Sequence, residues 1–457
     1  MDVEVTRLRP ANRLRIAVVG AGISGLAAAR ELDGVHDVTL FEAQDKPGGH
    51  TRTLEFERFG QEYRADLGFM VFNEANYPHF TRLLKELNIP ARDTEMSFSL
   101  RCDQSGLEYH GSTMNQLFAQ RRNLIRPRHY RMLRDIVRFN RNARRALAER
   151  AGELADTSMA EFLVKGGYGR ELINDYLLPM TAAIWSCSVQ SIERFPSLYL
   201  LRFMANHMLL GANGHRQWRM IPGGADQYVE ALLGRFGGRF RANSPVRSIE
   251  SRSGGVCIET DRGLEVFDAV VLAVHSDQAL VLIKDPTWLE RQVLSAIPYQ
   301  RNKAVVHTDR SVLPKRRRAW ASWNYYRAPD SGREASVTYN LNLLQHLESP
   351  EPICVTLNPL RPARSDKVIR RLSFAHPVFS ADAFAAQGRV GEMNASGNRF
   401  FCGAWTGWGF HEDGLASGLK AAASVHEWAA RPEIQAKFAY AQRDLRGLGQ
   451  AYPAQAG

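Results

Sequence analysis

The stretch VVGAGISGLAAARELDGVHDVTLFEAQDKPGG, residues 18–49, gives the clearest indication of the fold class of this chain. An apolar run leads into the pattern GxGxxG, and the Ala- and Leu-rich run that follows is a good helix former. Gly20 allows a tight turn, Gly22 lets a pyrophosphate approach the backbone, and Gly25 lets helix and strand pack closely. Glu42 ends a second apolar run about 20 residues onward, where an acid that binds a ribose hydroxyl is expected. The stretch therefore predicts a dinucleotide site at a helix N-terminus.

A second glycine pair distinguishes between the two common dinucleotides. Gly48 and Gly49 follow Glu42 closely, within EAQDKPGGHTRT. A nicotinamide dehydrogenase has no need of this pair. The glycine pair after Glu42 resembles the flavoprotein pattern in which the loop after the acid runs along the phosphates and ribityl chain of the flavin. We therefore expect FAD, bound without a covalent link.

Size and composition limit the class of protein. The chain has 457 residues, which suit two or three structural units, and 44% are hydrophobic, as in an ordinary globular protein. The best membrane-span candidate, LYLLRFMANHMLL, is interrupted by Arg202 and His207. The N-terminus lacks the apolar core of a secretory signal, and the five cysteines form no CxxC, so we expect a cytoplasmic protein without a metal site. The formal net charge of +11 suggests an anionic partner or surface.

Cofactor-like segments alternate with insertions along the chain. We expect an FAD-binding domain in three parts, at residues 1–76, 218–285 and 395–430. A substrate domain in two parts is expected at residues 77–217 and 286–394. Residues 431–457 are expected to form a C-terminal tail. The first insertion is mostly helical by period, whereas the second mixes strands with loops. Interleaving of this kind predicts an α/β protein, with a discontinuous Rossmann-like FAD-binding domain and an inserted α+β substrate domain.

Several motifs resemble those of flavin-containing amine oxidases, a superfamily that also holds protoporphyrinogen oxidases and carotenoid desaturases. They are the two glycine motifs, IPGGADQYVEAL, PVRSI and the closing FCGAWTG…EDGLASGLKAA. In addition, GFMVFNEANYPHF, LLPMTAAIWS and CGAWTGWGFHEDGL are similar to a bacterial subgroup of predicted NAD/FAD-binding proteins. That subgroup is associated with methyltransferases that modify unsaturated fatty acyl chains, and with desaturation of methylated acyl chains.

Transferred position by position, the resemblance implies a set of FAD contacts. The residues expected at the pyrophosphate and the adenosine ribose are Gly20, Ala21, Gly22, Ser24, Gly25 and Glu42. Those expected along the flavin side of the loop and at the adenine are Gly49, Thr51, Arg52 and Val246. Those expected at the ribityl chain and the flavin O2 edge are Gly403, Ala404, Asp413, Gly414 and Leu415. Ala404 stands where many family members have Glu, and His50 where Arg is frequent, so the chain departs from the family pattern at these two positions.

Candidate catalytic residues are expected beside the flavin. Lys303 matches the strand position of a lysine that many amine oxidases place behind flavin N5, although it could be an ordinary strand-end lysine in a basic protein. His411 could supply an acid or base, or a structural hydrogen bond. Trp185, Trp405 and Trp408 could border the substrate channel, or they could pack in the core.

A basic stretch occupies residues 121–150, with eleven arginines against Asp135 and Glu149. Four arginines recur at helical spacing beside an apolar stripe: Arg134, Arg138, Arg141 and Arg145, with Leu133, Ile136, Val137 and Leu147. Such a helix can lie at an anionic bilayer surface. The alternatives are a solvated basic face and, more weakly, a nucleic-acid site, for which no binding fold is recognised. We expect a membrane surface as partner and no nucleic acid.

These features predict an FAD-dependent oxidoreductase, peripheral on the inner face of the membrane. Its substrate would be a hydrophobic, methylated or otherwise modified fatty-acyl chain, desaturated by hydride transfer to flavin N5. One alternative is a flavin-containing amine oxidase, which would favour an acidic pocket for its cationic substrate. Another is a flavin- or lipid-binding partner of a lipid methyltransferase, without turnover of its own.

Overall fold

The computed structural model describes residues 13–185, 187–211, 216–253, 255–329 and 336–436. The chain forms two compact units, each assembled from separate stretches. The first unit comprises Met1–Gly49, Val229–Ser295 and Ala386–Gly457, and the second comprises His50–Tyr228 and Ala296–Ala385. The hairpin Thr53–Arg58/Gln61–Asp66 bonds to Gln345 and Ala225 within the second unit. The predicted domain boundaries stay predictions.

A five-stranded parallel sheet forms the centre of the first unit. Its strands in spatial order are Arg399–Phe401, Ala269–Leu272, Arg15–Val19, Asp37–Phe41 and Arg239–Arg241. The strands at its centre are almost wholly buried, as parallel strands covered on both faces require. The α/β prediction and its Rossmann-like sheet are therefore confirmed.

Two helices of the first unit pack against each other at small residues. They are Ile23–Leu32 and His411–Ala429. A Cβ atom at Gly418 would collide with the carbonyl oxygen of Ser24, so the close approach of these helices requires glycine at that position. The other elements of this unit include an antiparallel sheet of Val246–Arg252, Gly255–Thr260 and Gly263–Phe267, and the helices Ser276–Leu282, Trp288–Ser295 and Val390–Ala395.

The second unit contains a seven-stranded sheet. Its strands in spatial order are Val368–Pro377, Tyr299–His307, Cys354–Leu357, Ser336–Asn340, Trp323–Arg327, Phe98–Cys102 and Leu107–His110. All neighbours are antiparallel except Trp323–Arg327 and Phe98–Cys102, which run parallel. A further two-stranded sheet joins Arg92–Thr94 to Trp218–Met220.

Most of the helices lie in the first insertion, as its period predicts. They are Pro78–Leu87, Met114–Leu117, Pro127–Glu149, Ala151–Ala155, Met159–Lys165, Arg170–Leu172, Leu178–Trp185, Val189–Arg194 and Ser197–Asn206. Leu341–Leu344 lies in the second insertion, and Asp226–Gly234 and Ala381–Gln387 cross unit boundaries. None of the helices in the described ranges has the length and apolarity needed to cross a bilayer.

The basic stretch forms the long helix Pro127–Glu149, but its buried face differs from the predicted one. The buried residues are His129, Met132, Asp135, Phe139, Asn140, Ala143 and Ala146. Of the predicted apolar stripe, Val137 is 69% exposed, and the other three members are only partly buried. The reason is that Phe139 packs against Phe162 and Tyr168, while Asp135 accepts a hydrogen bond from the backbone of Gly169.

Candidate functional site

The first glycine motif forms a tight turn after the strand Arg15–Val19. Gly20 has a φ of 101°, and a Cβ there would lie 2.6 Å from the carbonyl oxygen of Ala273. Its N–H donates to the carbonyl of Phe41 at 2.8 Å, and the N–H of Ala21 donates to Oε2 of Glu42 at 2.9 Å. The predicted ribose-binding acid, Glu42, is therefore hydrogen-bonded directly to the backbone of the turn.

A Cβ atom would find open space at Gly22, whereas it would be crowded at the other two glycines of the motif, Gly20 and Gly25. A Cβ at Gly22 would meet no protein atom within 4 Å, whereas one at Gly25 would collide with the carbonyl of Gly20. The helix Ile23–Leu32 begins at this point, and its first turn carries no acidic side chain. Open space beside the N-terminus of a helix fits an anionic pyrophosphate, because the first N–H groups of a helix lack intrahelical partners. The residues present therefore fit a bound dinucleotide.

Other predicted contact residues of the first unit gather around this turn. The N–H of Gly48 donates to the carbonyl of Ala21 at 2.8 Å, and a Cβ at Gly49 would lie 3.2 Å from Cα of Gly22. The N–H of Ser244 donates to the carbonyl of Glu42 at 2.8 Å, two residues before Val246 begins its strand. The second glycine pair and the predicted adenine segment thus both lie beside the GxGxxG turn or its acid.

The closing motif meets the same turn from the helix His411–Ala429. A Cβ at Gly414 would lie 2.9 Å from Cγ2 of Ile23 and 3.1 Å from Oγ of Ser24, with Cβ of Ala404 at 3.7 Å. The N–H of Gly403 donates to Oγ of Ser417 at 2.9 Å. The predicted ribityl-side glycines are therefore near the predicted pyrophosphate residues.

The remaining predicted residues of this motif differ in their exposure. Asp413 accepts a hydrogen bond from the N–H of Phe410 at 2.9 Å, and burial raises the pKa of Asp413 to about 6. Leu415 and Trp405 are buried, and Nε1 of Trp405 donates to the carbonyl of Val274 at 3.1 Å. Trp408 and His411 are partly exposed, and His411 is the first residue of its helix. The catalytic and channel roles of His411, Trp405 and Trp408 stay predictions.

Three predicted residues belong to the second unit. Thr51 is buried, and its hydroxyl lies 2.5 Å from the hydroxyl of Tyr228. Arg52 is partly exposed. Trp185 packs against Phe195 and Phe203, with ring centroids 5.2 and 4.5 Å away, so the structure gives it a packing role while its channel role stays a prediction.

Lys303 lies on the exposed face of its strand. It pairs with Ser373 across the antiparallel strands, and both residues are exposed. Its neighbour Asn302 pairs with Phe374, and both of these are buried. Because successive side chains of a strand point to opposite faces, the side chains of Lys303 and Asn302 lie on opposite faces of the sheet. The role of Lys303 behind N5 therefore stays a prediction, and the buried face carries amide and imidazole groups instead.

His50 packs on that buried face. Its ring lies 5.5 Å from the ring of Phe374 and 5.3 Å from that of His376. His50 directly follows Gly49, the end of the loop expected along the flavin. The sequence did not single out Asn302 and His376, because a strand pattern distinguishes two faces without telling which of them is buried.

A cavity of about 220 Å³ lies within the second unit. It is lined by Gln104, Asn174, Leu178, Pro179, Val189, Tyr325 and Arg327. Nη1 of Arg327 donates to the carbonyl of Asn174 at 3.1 Å, and Nη2 lies 3.5 Å from Oδ1 of Asp175. Burial raises the pKa of Asp175, and Arg327 opposes that rise. Nothing in the sequence pattern singled out Arg327.

A parallel sheet with a GxGxxG turn, an acid after its second strand and a second glycine pair beside the turn define a dinucleotide-binding flavoprotein. The sequence profile of the family described as flavin containing amine oxidoreductases matches residues 23–426. The chain belongs to that family, and FAD is its cofactor. Across the described parts of the chain, no group of three or more His, Cys, Asp or Glu side chains could hold a metal ion.

Named relatives and solved structures are similar to this chain over different extents. AofH of Mycobacterium tuberculosis, whose name describes a flavin-containing monoamine oxidase, is 30% identical over 284 residues, which span 59% of each chain. Tryptophan 2-monooxygenase of Pseudomonas savastanoi is 48% identical over 60 residues, or 13% of this chain and 11% of the relative. The alignment with AofH thus leaves a substantial part of that relative unmatched.

Two solved structures share the fold over most of their length. The CLA-producing fatty acid isomerase from P. acnes has a TM-score of 0.65 and 17% identity, covering 90% of this chain and 98% of the isomerase. Cyclohexylamine oxidase from Brevibacterium oxydans IH-35A also has a TM-score of 0.65 and 17% identity, covering 92% and 100%. At this identity the likeness establishes the fold alone.

Proposed function

We propose that this chain is an FAD-dependent oxidoreductase that desaturates a hydrophobic, methylated or otherwise modified fatty-acyl chain. Conversion of a –CH2–CH2– unit to –CH=CH– removes one hydride and one proton. The chemistry that FAD would supply when bound is hydride acceptance at N5. Membership of the amine oxidoreductase family supports the redox class. The name of one structural neighbour, a fatty acid isomerase, supports a lipid substrate.

The observation that carries the acyl proposal is the charge of the second-unit cavity. Its lining combines apolar and aromatic side chains with Arg327, which is the charged member of the set. An acyl chain that ends in a carboxylate or phosphoester places apolar and anionic parts in one molecule, and both match this lining. Asp175 lies 3.5 Å from Arg327 and partly balances its charge, so the guanidinium disfavours an ammonium substrate less strongly than an unpaired cation would.

The Arg327→Gln variant tests this assignment. We expect KM for an anionic acyl substrate to rise by roughly 10- to 100-fold, because a hydrogen bond to a charged group contributes about 1.5–3 kcal/mol. Steady-state kinetics would measure it, with the exposed Arg310→Gln as a control of equal charge change. An unchanged KM in Arg327→Gln would remove the cavity from substrate binding.

Anaerobic mixing of the FAD-loaded protein with candidate substrates tests the function itself. Bleaching of the flavin by acyl substrates, but not by amines, is the expected result. Bleaching by amines, followed by peroxide release in air, would favour the amine oxidase alternative, which the names of AofH and cyclohexylamine oxidase support. Bleaching by neither, with lipid still bound, would favour a non-catalytic partner of a lipid methyltransferase. Lipid profiles of cells with and without the gene would then identify the acyl chain.

An anionic membrane surface is the proposed partner of the helix Pro127–Glu149. This helix carries seven arginines against Asp135 and Glu149. Exposed apolar side chains lie before it and on it, since Leu124 is 48%, Ile125 is 84% and Val137 is 69% exposed. Arginines beside exposed apolar groups favour anionic headgroups with shallow apolar insertion.

Sedimentation with vesicles tests the membrane proposal. We expect Arg134→Gln, Arg141→Gln and Arg144→Gln together to weaken binding to phosphatidylglycerol vesicles about 100-fold at low salt, since each arginine near an anionic surface contributes about 1 kcal/mol. The triple change Arg235→Gln, Arg262→Gln and Arg291→Gln removes equal charge from exposed positions of the first unit, and should leave binding nearly unchanged. Equal losses in both triple variants would indicate attraction by net charge alone, and a wild type that stays in the supernatant would end the proposal.

A further inference from the structure

A second cluster of basic residues lies in the second unit, far along the chain from the arginine-rich helix. Residues 315–318 read KRRR, and all four are exposed. Arg317 and Arg318 belong to the short 3-10 helix Arg317–Ala319. Within the described ranges no carboxylate pairs with either arginine, although the guanidinium of Arg317 lies over the ring of Trp320. This cluster, the basic turn, therefore presents cationic groups to the surroundings of the protein.

One buried carboxylate joins the basic turn to the start of the arginine-rich stretch. It belongs to Glu108, on the edge strand Leu107–His110 of the seven-stranded sheet. Oε1 of Glu108 accepts from the backbone N–H of Lys315 at 2.9 Å, and Oε2 accepts from Nη1 of Arg316 at 3.3 Å. The backbone carbonyl of Glu108 accepts from Nδ2 of Asn123 at 3.4 Å. Two basic segments that are distant in the chain therefore meet at one buried residue.

Exposed apolar side chains accompany the cations at this edge of the sheet. Ile125, which ends the 3-10 helix Arg121–Ile125, is 84% exposed, and Met114 is 68% exposed. The helix that Met114 begins packs beside the basic turn. The 3-10 helix starts with two exposed arginines, whose guanidinium groups donate to neutral oxygens of Asn115 and Gly106. Cationic and apolar groups therefore occur together here.

We propose that the basic turn and the 3-10 helix Arg121–Ile125 form one docking surface for an anionic membrane, with Met114 and Ile125 entering its acyl region. The inference rests on the proposed membrane partner of the long helix, and it adds a distant segment and the point of insertion. A nucleic acid would satisfy the cations alone and would leave both apolar side chains in water. An anionic bilayer accommodates the cations at its headgroups and the apolar side chains below them.

The same edge strand also approaches the cavity of the second unit. Tyr109 follows Glu108, so the two side chains point to opposite sides of the strand. The hydroxyl of Tyr109 donates to the carbonyl of Asp175 at 2.6 Å, and Asp175 lies 3.5 Å from Arg327, which lines the cavity. The docking surface and the cavity thus have one strand in common. A substrate that is sparingly available in water would gain from this proximity, because it could leave the bilayer close to its site.

The charge test is sedimentation of the FAD-loaded full chain with phosphatidylglycerol vesicles, compared with phosphatidylcholine vesicles. We expect Lys315→Gln, Arg317→Gln and Arg318→Gln together to weaken binding to the anionic vesicles about 100-fold at low salt, because each basic residue near such a surface contributes about fivefold. Arg316 is left unchanged, because it binds the buried Glu108. The first-unit triple variant used for the long helix removes equal charge and should retain nearly full binding.

The insertion test compares two apolar positions of equal exposure. Ile125 and Val281 are both 84% exposed, but Val281 belongs to the first unit. We expect Ile125→Ser to weaken binding to the same vesicles roughly tenfold, because burial of a side chain of this size contributes about tenfold or more. Met114→Ser should act in the same direction, whereas Val281→Ser should leave binding unchanged.

The results separate this proposal from the others. Full vesicle binding in the basic-turn variant, together with weak binding in the long-helix variant, would confine docking to the helix and leave the membrane partner standing. Full binding in Ile125→Ser would exclude insertion at that position. A wild type that ignores vesicles but binds duplex RNA would end both membrane proposals. If the basic-turn variant loses its circular dichroism spectrum or its FAD, Ile125→Ser decides. Failure of acyl substrates in the mixing experiment would leave all of these results standing.

Discussion

The Gly22→Val variant is expected to fold and to lose FAD. Gly22 has φ −73° and ψ 177°, an extended conformation that valine adopts without strain. No protein atom lies within 4 Å of the position that its Cβ would occupy. The added side chain therefore enters only the space where a pyrophosphate would approach the backbone at the helix N-terminus. We expect a colourless protein with FAD affinity reduced by roughly 100-fold or more, because relief of a steric overlap costs about 1–3 kcal/mol and the phosphate contacts are lost as well.

Two matched glycines make this experiment specific. Gly152→Val places a side chain in open space in the second unit, and it should retain the yellow colour. Gly25→Val drives its side chain into the carbonyl of Gly20, so it should fail to fold as well as fail to bind. Binding would be measured by flavin fluorescence quenching and folding by circular dichroism. Wild-type FAD affinity in a folded Gly22→Val protein would show that the pyrophosphate lies elsewhere.

The Arg399→Gln variant is expected to lose about 3–5 kcal/mol of folding free energy. Arg399 lies on the edge strand Arg399–Phe401 and is buried, as is Glu290. Its Nε and Nη2 donate to the two carboxylate oxygens of Glu290, both at 2.8 Å, and Nη1 donates to Asp285 at 2.9 Å. Glutamine cannot form this bidentate pair, so Glu290 would remain buried without its cation.

Equilibrium denaturation at a constant FAD concentration measures this loss, because bound ligand shifts apparent stability. The exposed pair of Arg247 and Asp261 provides the control, and Arg247→Gln should produce no measurable change. The double variant Arg399→Met with Glu290→Leu should lose less stability than Arg399→Gln, since no unpaired Glu290 carboxylate remains. A loss in Arg399→Gln no larger than in Arg247→Gln would mean that Glu290 is solvated or protonated without its partner.

Local sequence was sufficient to predict a structural feature wherever one short stretch contains all the residues that form it. The turn at Gly20, the open position at Gly22 and the acid at Glu42 lie within one strand–turn–helix–strand unit, and hydrogen bonds join the turn to the end of the second strand within that unit. The dinucleotide site and its Rossmann-like fold were predictable for that reason, whereas FAD followed from the second glycine pair and the family from motifs farther along the chain.

Other features depend on partners that are distant in the chain, and these followed only from the folded structure. Period-2 alternation places Asn302 and Lys303 on opposite faces of a strand, but only pairing with Phe374 and Ser373 determines which face is buried. Likewise, helical periodicity in residues 121–150 allowed an apolar stripe at Val137, whereas the buried face contains Phe139, because aromatic partners lie opposite it. Arg327 meets Asn174 across 153 residues of chain. Periodicity is a property of one segment, whereas burial and hydrogen bonding depend on which second segment packs against it. The sequence therefore determined the elements and the cofactor. Only the packing of distant segments determined which faces of those elements are buried and hydrogen-bonded.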